Sequence, residues 1–191
     1  MAITKKKDKY TRNDWPKQWI GINPNIMRPY RKYINNEKPG YCGTYTVAVL
    51  LHYKMIQDYQ VDLSMEELLG ALKPLIDGRY FYKGTYPWDL TQGLRDFIDT
   101  EDYEAKWHLI SNPIVVEQLS KKEANPVIVG TTKLLGSRYG NHWLVVYAYG
   151  YNDKGQLFYK AYDNHGKINS VIAASQTMAA VWLERKEQRN E

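Results

Sequence analysis

The stretch WLVVYAYGYNDKGQLFYKAY, residues 143–162, restricts the fold more than any other. Residues 143–149 are continuously apolar and rich in β-branched and aromatic side chains, the pattern of a central, fully covered strand. Residues 150–155 contain Asn152-Asp153-Lys154-Gly155, a hairpin turn, and residues 157–162 read as the returning strand. Further strands are expected over 104–110, 126–130 and 179–183. Helices come before them. Residues 42–59 have helical length, and 46–51 are apolar nearly all round, as in a helix surrounded by protein. Ser64 and Glu67 form a capping box for a helix to about residue 76, broken at Asp77-Gly78. Thr85 or Asp89 opens a short helix with Leu90, Leu94 and Phe97 at helical spacing. Ser111 can cap another through Leu119. Helices first and an antiparallel sheet after them give an α+β fold.

The bulk properties are those of a globular chain, with 43% hydrophobic and 25% charged residues among 191. No apolar run approaches the ~20 residues that cross a bilayer. The start, MAITKKKDKY, is basic but no apolar segment follows it, so no signal peptide is expected. A single cysteine excludes an internal disulfide framework and a Cys-rich metal site. The net charge of +5 is uneven: residues 1–32 hold nine Lys or Arg and two acids, so +7 lies there and −2 in the remainder. Pro16, Pro24 and Pro29 break any long element in that part. Residues 1–32 are therefore expected to form a basic, irregular arm, and 33–191 the domain. The arm is either a solvated lead-in or a contact for an anionic surface such as nucleic acid, lipid or wall polymer. No nucleic-acid-binding motif accompanies it.

The lone thiol, Cys42, opens the 42–59 helix within GYCGTYTVAVLLHY, just past Pro39-Gly40. It is either a small buried residue or a nucleophile, since a helix N-terminus and a nearby imidazolium both favour a thiolate. Of the four histidines, His52 lies ten residues along the same helix, ~15 Å away. His108 sits in a short strand with no acid placed to assist it, and His165 follows Asp163 by two residues in a loop. His142 stands at the mouth of the central strand, held yet accessible, which suits a general base. The hairpin brings the end of its second strand back beside the start of the first, so Asp163 is expected next to His142. An acid there fixes the tautomer of the base.

Four pieces, GYCGTYTVAVLLHY, GTYPWDLTQGL, YGNHWLVVYAYGYN and YKAYDNHG, resemble the papain-like cysteine peptidase superfamily. The likeness is to its bacterial branches: staphopain-like and streptopain-like enzymes and the C39-like peptidases that process bacteriocin leaders. The resemblance spans about residues 33–183 and implies a Cys-bearing helix packed on an antiparallel sheet. It implies Cys42 as nucleophile, His142 as base and Asp163 as the orienting acid, with Asn164 as the alternative. The family's oxyanion glutamine is replaced here by Asn36, beside Asn35, whose amide sits on a shorter stem; the Cys42 N–H supplies the other donor. Gly40, Tyr41, Gly84, Trp88, Asn141 and Trp143 are expected around the substrate. Tyr80, Phe81, Tyr82 and Tyr86, with Trp88, form either an apolar subsite or rim packing. The implied activity is hydrolysis of a peptide or protein substrate without metal or organic cofactor. A transglutaminase-like acyltransferase shares the same triad, and a catalytically dead binding module is the remaining alternative. The exported relatives point to a secreted or surface enzyme; a lone free thiol also suits the cytoplasm.

Overall fold

The computed structural model describes residues 10–36, 40–79, 84–98 and 101–186. In chain order its elements are β1 (Ile20–Gly21), α1 (Pro24–Met27), a 3₁₀ turn (Arg28–Lys32), α2 (Cys42–Tyr59), α3 (Met65–Leu72) and α4 (Pro87–Phe97). There follow β2 (Tyr103–His108), α5 (Ser111–Ser120), β3 (Val127–Thr131), β4 (His142–Tyr151), β5 (Leu157–Tyr162), β6 (Ser170–Ala173) and β7 (Thr177–Arg185). The fold is α+β. The described strands form one antiparallel sheet in the order β2-β7-β3-β4-β5-β6, with β1 pairing on β4.

The central hairpin forms where the sequence places it. Every residue of β4 from Trp143 to Gly150 is buried, so chain covers both of its faces. Strand β4 begins one residue earlier and ends two residues later than expected, and Asn152 closes the turn by accepting the N–H groups of Lys154 and Gln156 through its side chain. Helix α2 is buried almost continuously from Cys42 to Tyr53 and packs on β3 and β4. Its all-round apolar character follows from that position. Ser64 caps α3 by accepting the Glu67 N–H at 3.2 Å. Helix α4 begins at neither expected residue. Pro87 occupies its first turn, and the Asp89 carboxylate reaches back to the Tyr86 N–H at 2.8 Å. Ser111 does not cap α5: it lies inside the first turn and shares a hydrogen bond with the Thr177 hydroxyl at 2.9 Å.

The segment read as an irregular arm joins the domain from residue 10 onward. Ile20 and Gly21 pair with Tyr149 and Ala148, and Ile22, Met27 and Tyr30 are buried in the common core. Tyr10 packs edge-on against Phe158, and Lys160 lies over the Trp19 ring at 4.4 Å. Helix-breaking prolines concealed this docking because the apolar anchors between them are too widely spaced to form a periodic pattern. Residues 1–9, with four of the arm's lysines, lie outside the described residues.

Candidate active site

Cys42 is the first residue of α2 and is 8% exposed. Gly43 follows because nothing larger fits: a Cβ there would stand 2.8 Å from both Leu90 Cδ2 and Thr85 Oγ1. Tyr41, the residue before the helix, contributes no side-chain cap. The Asp77 carboxylate instead accepts the Thr44 N–H at 2.7 Å and the Thr44 hydroxyl at 2.8 Å, securing the first turn. Burial pushes the Cys42 thiol up to about 11. The Trp143, Gly43 and Cys42 N–H groups draw it down, and the Asp77 charge adds to the rise. The resting thiol is therefore protonated at neutral pH.

Asp77 is itself perturbed. Burial pushes its carboxyl up to about 6, against the hydrogen bonds from Thr44, and Asp89 adds repulsion. Among the described residues its buried Oδ1 has no well-formed hydrogen bond, although the Thr85 hydroxyl is close enough to draw the carboxyl down. A carboxyl raised from 3.8 to about 6 takes its proton in the folded state before the unfolded one. Stability from this group is thus greatest below 3.8 and is lost as pH rises through 6, about 3 kcal/mol at most. Asp77→Asn keeps an oxygen for Thr44 and removes the charge. It is expected to melt several degrees higher than the native chain at pH 7.5, with the advantage gone by pH 4. Equal melting temperatures at pH 7.5 would contradict the buried charge.

His142 opens β4, one residue before the Trp143 N–H that faces the Cys42 sulfur. Its Nε2 lies 2.9 Å from the main-chain oxygen of Asp163. A carbonyl only accepts, so Nε2 carries the proton and the neutral ring keeps Nδ1 as an acceptor. Burial pulls His142 down to about 4; the Asp163 carbonyl opposes this, and the neighbouring His165 reinforces it. Burial thus disfavours the charged form of both Cys42 and His142.

Asp163 does lie beside His142, but its carboxylate does not orient the ring. The side chain is 1% exposed and fully engaged elsewhere. Its Oδ1 accepts the N–H groups of His165 and Lys167 at 3.0 Å each. Its Oδ2 accepts the hydroxyls of Tyr139 at 2.9 Å and Ser170 at 2.7 Å. The tight 163–166 turn leaves N–H groups that need an acceptor, and an Asp at its start supplies one. Asn164 is not the orienting group either: its amide donates to the Trp143 carbonyl at 3.0 Å, in a left-handed backbone conformation (φ 45°). The group that fixes His142 is the peptide carbonyl of Asp163.

One cavity of about 730 Å³ joins these parts. Cys42, His142, Asn36, Gly40, Gly84, Asn141 and Trp143 line it. Tyr41 and Trp88 do not: the Tyr41 ring lies under the Lys73 ammonium at 4.5 Å, and Trp88 stacks on Tyr86 at 4.8 Å on the outer surface. Tyr86 and Pro87 form one wall, while residues 80–82 lie outside the described residues. Trp143 is fixed by donating its indole N–H to the Thr85 hydroxyl at 3.0 Å, and Asn141 by accepting the Lys133 N–H. Asn36 is exposed at the wall.

His165, set aside in the sequence, also lines the cavity and stacks on His142 with ring centroids 4.5 Å apart. The signal was in the hairpin register. Val145 pairs with Tyr162, the last residue of β5, so the turn that follows lies beside the start of β4. His52, ten residues along α2 from Cys42, bridges the Tyr30 hydroxyl and the Asp62 carboxylate. Among the described residues no group of three or more His, Cys, Asp or Glu side chains is placed to hold a metal ion, and no helix is long and apolar enough to cross a membrane.

No protein-family model matches the chain, and no curated protein is similar to it. Among solved structures it is similar to two crystal structures of the proform of the Amb a 11 cysteine protease, a major ragweed pollen allergen. The first is 12% identical with a TM-score of 0.40, over 95% of this chain and 69% of that one. The second is 13% identical with a TM-score of 0.41, over 92% and 67%.

Proposed function

We propose that this chain is a thiol-dependent hydrolase of peptide bonds, with Cys42 as nucleophile and His142 as general base. The observation that carries the reading is a single cavity holding a helix-start thiol and an imidazole whose Nε2–H is pinned by a main-chain carbonyl. His142 Nδ1 takes the Cys42 proton as the sulfur attacks a peptide carbonyl, and the carbonyl oxygen becomes an oxyanion. The Cys42 N–H and the Asn36 amide are the donors available to hold it. Collapse breaks the C–N bond, and the amine leaves with the proton from Nδ1. Water, deprotonated by Nδ1, then releases the acyl group from sulfur. Burial raises the Cys42 thiol and lowers the His142 imidazole, and both shifts oppose a standing thiolate–imidazolium pair.

The test is cleavage of a mixed peptide pool at pH 7, followed by mass spectrometry, with and without an added primary amine. New termini made by the native chain and not by Cys42→Ala support the reading. Amine-labelled acyl groups without free acids would assign an acyltransferase instead. Absence of both products, together with unchanged peptide binding in Cys42→Ala, would assign a binding module.

A further inference from the structure

The 163–166 turn presents a second imidazole to the site. We propose that His165 is a positioning residue: its neutral ring holds His142 in place, and its protonated ring switches off His142 as the base. This rests on the reading of Cys42 and His142 given above.

The geometry is specific. The rings of His142 and His165 are 4.5 Å apart and 30° from parallel. Tyr139 completes the cluster, 5.6 Å from His142 and 6.2 Å from His165. The turn that carries His165 is held from several sides. Asp163 accepts the His165 and Lys167 N–H groups. Asn164 donates to the Trp143 carbonyl, one residue from His142. From the N-terminal segment, the Asn35 N–H donates to the Asn164 carbonyl at 2.9 Å, and the Arg31 guanidinium to the Gly166 carbonyl at 3.3 Å. The left-handed backbone of Asn164 is sustained by these ties. These ties fix the backbone of His165 beside His142.

The two imidazoles differ in exposure. His165 stands in solvent, whereas His142 is largely covered. Two imidazolium ions at this separation repel, so a proton on the His165 ring disfavours one on His142. That proton opposes the next one, which is the proton His142 has to take from Cys42. The nearby titratable and charged groups come from every neighbouring element: Cys42 on α2, Arg138 and Tyr139 before β4, Asp163 and Lys167 on the turn, and Arg31 on the N-terminal segment. Asp163 is the acid among them, and its four hydrogen bonds occupy both of its oxygens.

The measurement is the rate of Cys42 alkylation by iodoacetamide from pH 4.5 to 8, read by intact mass. It is made on the native chain, His165→Phe, His165→Lys and His142→Ala, each checked for a native melting transition. Phe keeps a flat ring without a charge; Lys supplies a permanent one. The native rate is expected to fall as the solution becomes mildly acidic. His165→Phe should hold its plateau to lower pH, reacting about tenfold faster than the native chain at pH 5, and His165→Lys should be slow throughout. Superimposable native and His165→Phe profiles overturn the proposal. So does a slower Phe variant in acid, which would mean that the cation serves the thiolate. If His142→Ala matches the native chain, the base reading itself fails. If His142→Ala is slow while His165→Phe changes nothing, only the role of His165 falls.

Discussion

His142→Ala should slow alkylation of Cys42 at pH 7 by two orders of magnitude or more. The thiol is pushed up to about 11, so roughly one molecule in 10⁴ carries a thiolate at pH 7 without help. A positioned base is worth about 10²–10⁴ in such a step. His142 remains neutral above about pH 4 and so keeps Nδ1 ready across the neutral range. The sign of each shift sets the shape of the profile. In the variant, only free thiolate reacts, and the rate should climb about tenfold per pH unit towards 11. In the native chain the base flattens this dependence and leaves a neutral-pH plateau. An unchanged rate and slope in His142→Ala would remove the base from the mechanism and leave Cys42 as a buried thiol.

The sequence revealed the parts of this site that depend on periodicity and hairpin geometry. The 42–59 helix, the 143–149 strand and its returning partner are long, strongly patterned segments, and they place Cys42 and His142 on one cavity. What it concealed depends on side-chain direction within a turn. Neighbourhood placed Asp163 beside His142, and the neighbourhood is correct. Which atom of Asp163 faces the ring is decided by the N–H groups of the following turn, which claim the carboxylate and leave the peptide carbonyl for the His142 ring. His165 was missed for the same reason: it was judged by its distance along the chain from Asp163, while the turn after β5 sets its ring against His142. The N-terminal segment was misread because its contribution to the core comes from isolated side chains such as Ile22, Met27 and Tyr30 between prolines.

The arrangement around Asp163 makes its substitution a second large effect, and one that separates two roles. If its carboxylate oriented His142, Asp163→Ala would reduce reactivity in an otherwise stable protein. With the carboxylate accepting four hydrogen bonds at 1% exposure, the cost should fall first on the fold. Removing it strands the His165 and Lys167 N–H groups and takes an ionic acceptor from the Tyr139 and Ser170 hydroxyls. Each abandoned donor costs about 1–3 kcal/mol, partly recovered where the Tyr139 hydroxyl turns to donate to Ser170 Oγ, 2.7 Å away. A loss of roughly 3–5 kcal/mol follows, about 10 °C in melting temperature for a chain of this size. Asp163→Asn is the informative companion. Its oxygen still serves the two N–H groups, and its amide can donate to the two hydroxyls once they rotate, so about 1 kcal/mol should be lost and Cys42 reactivity largely kept. Denaturant unfolding of both variants, with the alkylation rate measured on each folded protein, decides the matter. An Ala variant within 1 kcal/mol of the native chain, joined to a reactivity loss in the Asn variant, would return the carboxylate to the catalytic set and require the 163–166 turn to rearrange when substrate binds.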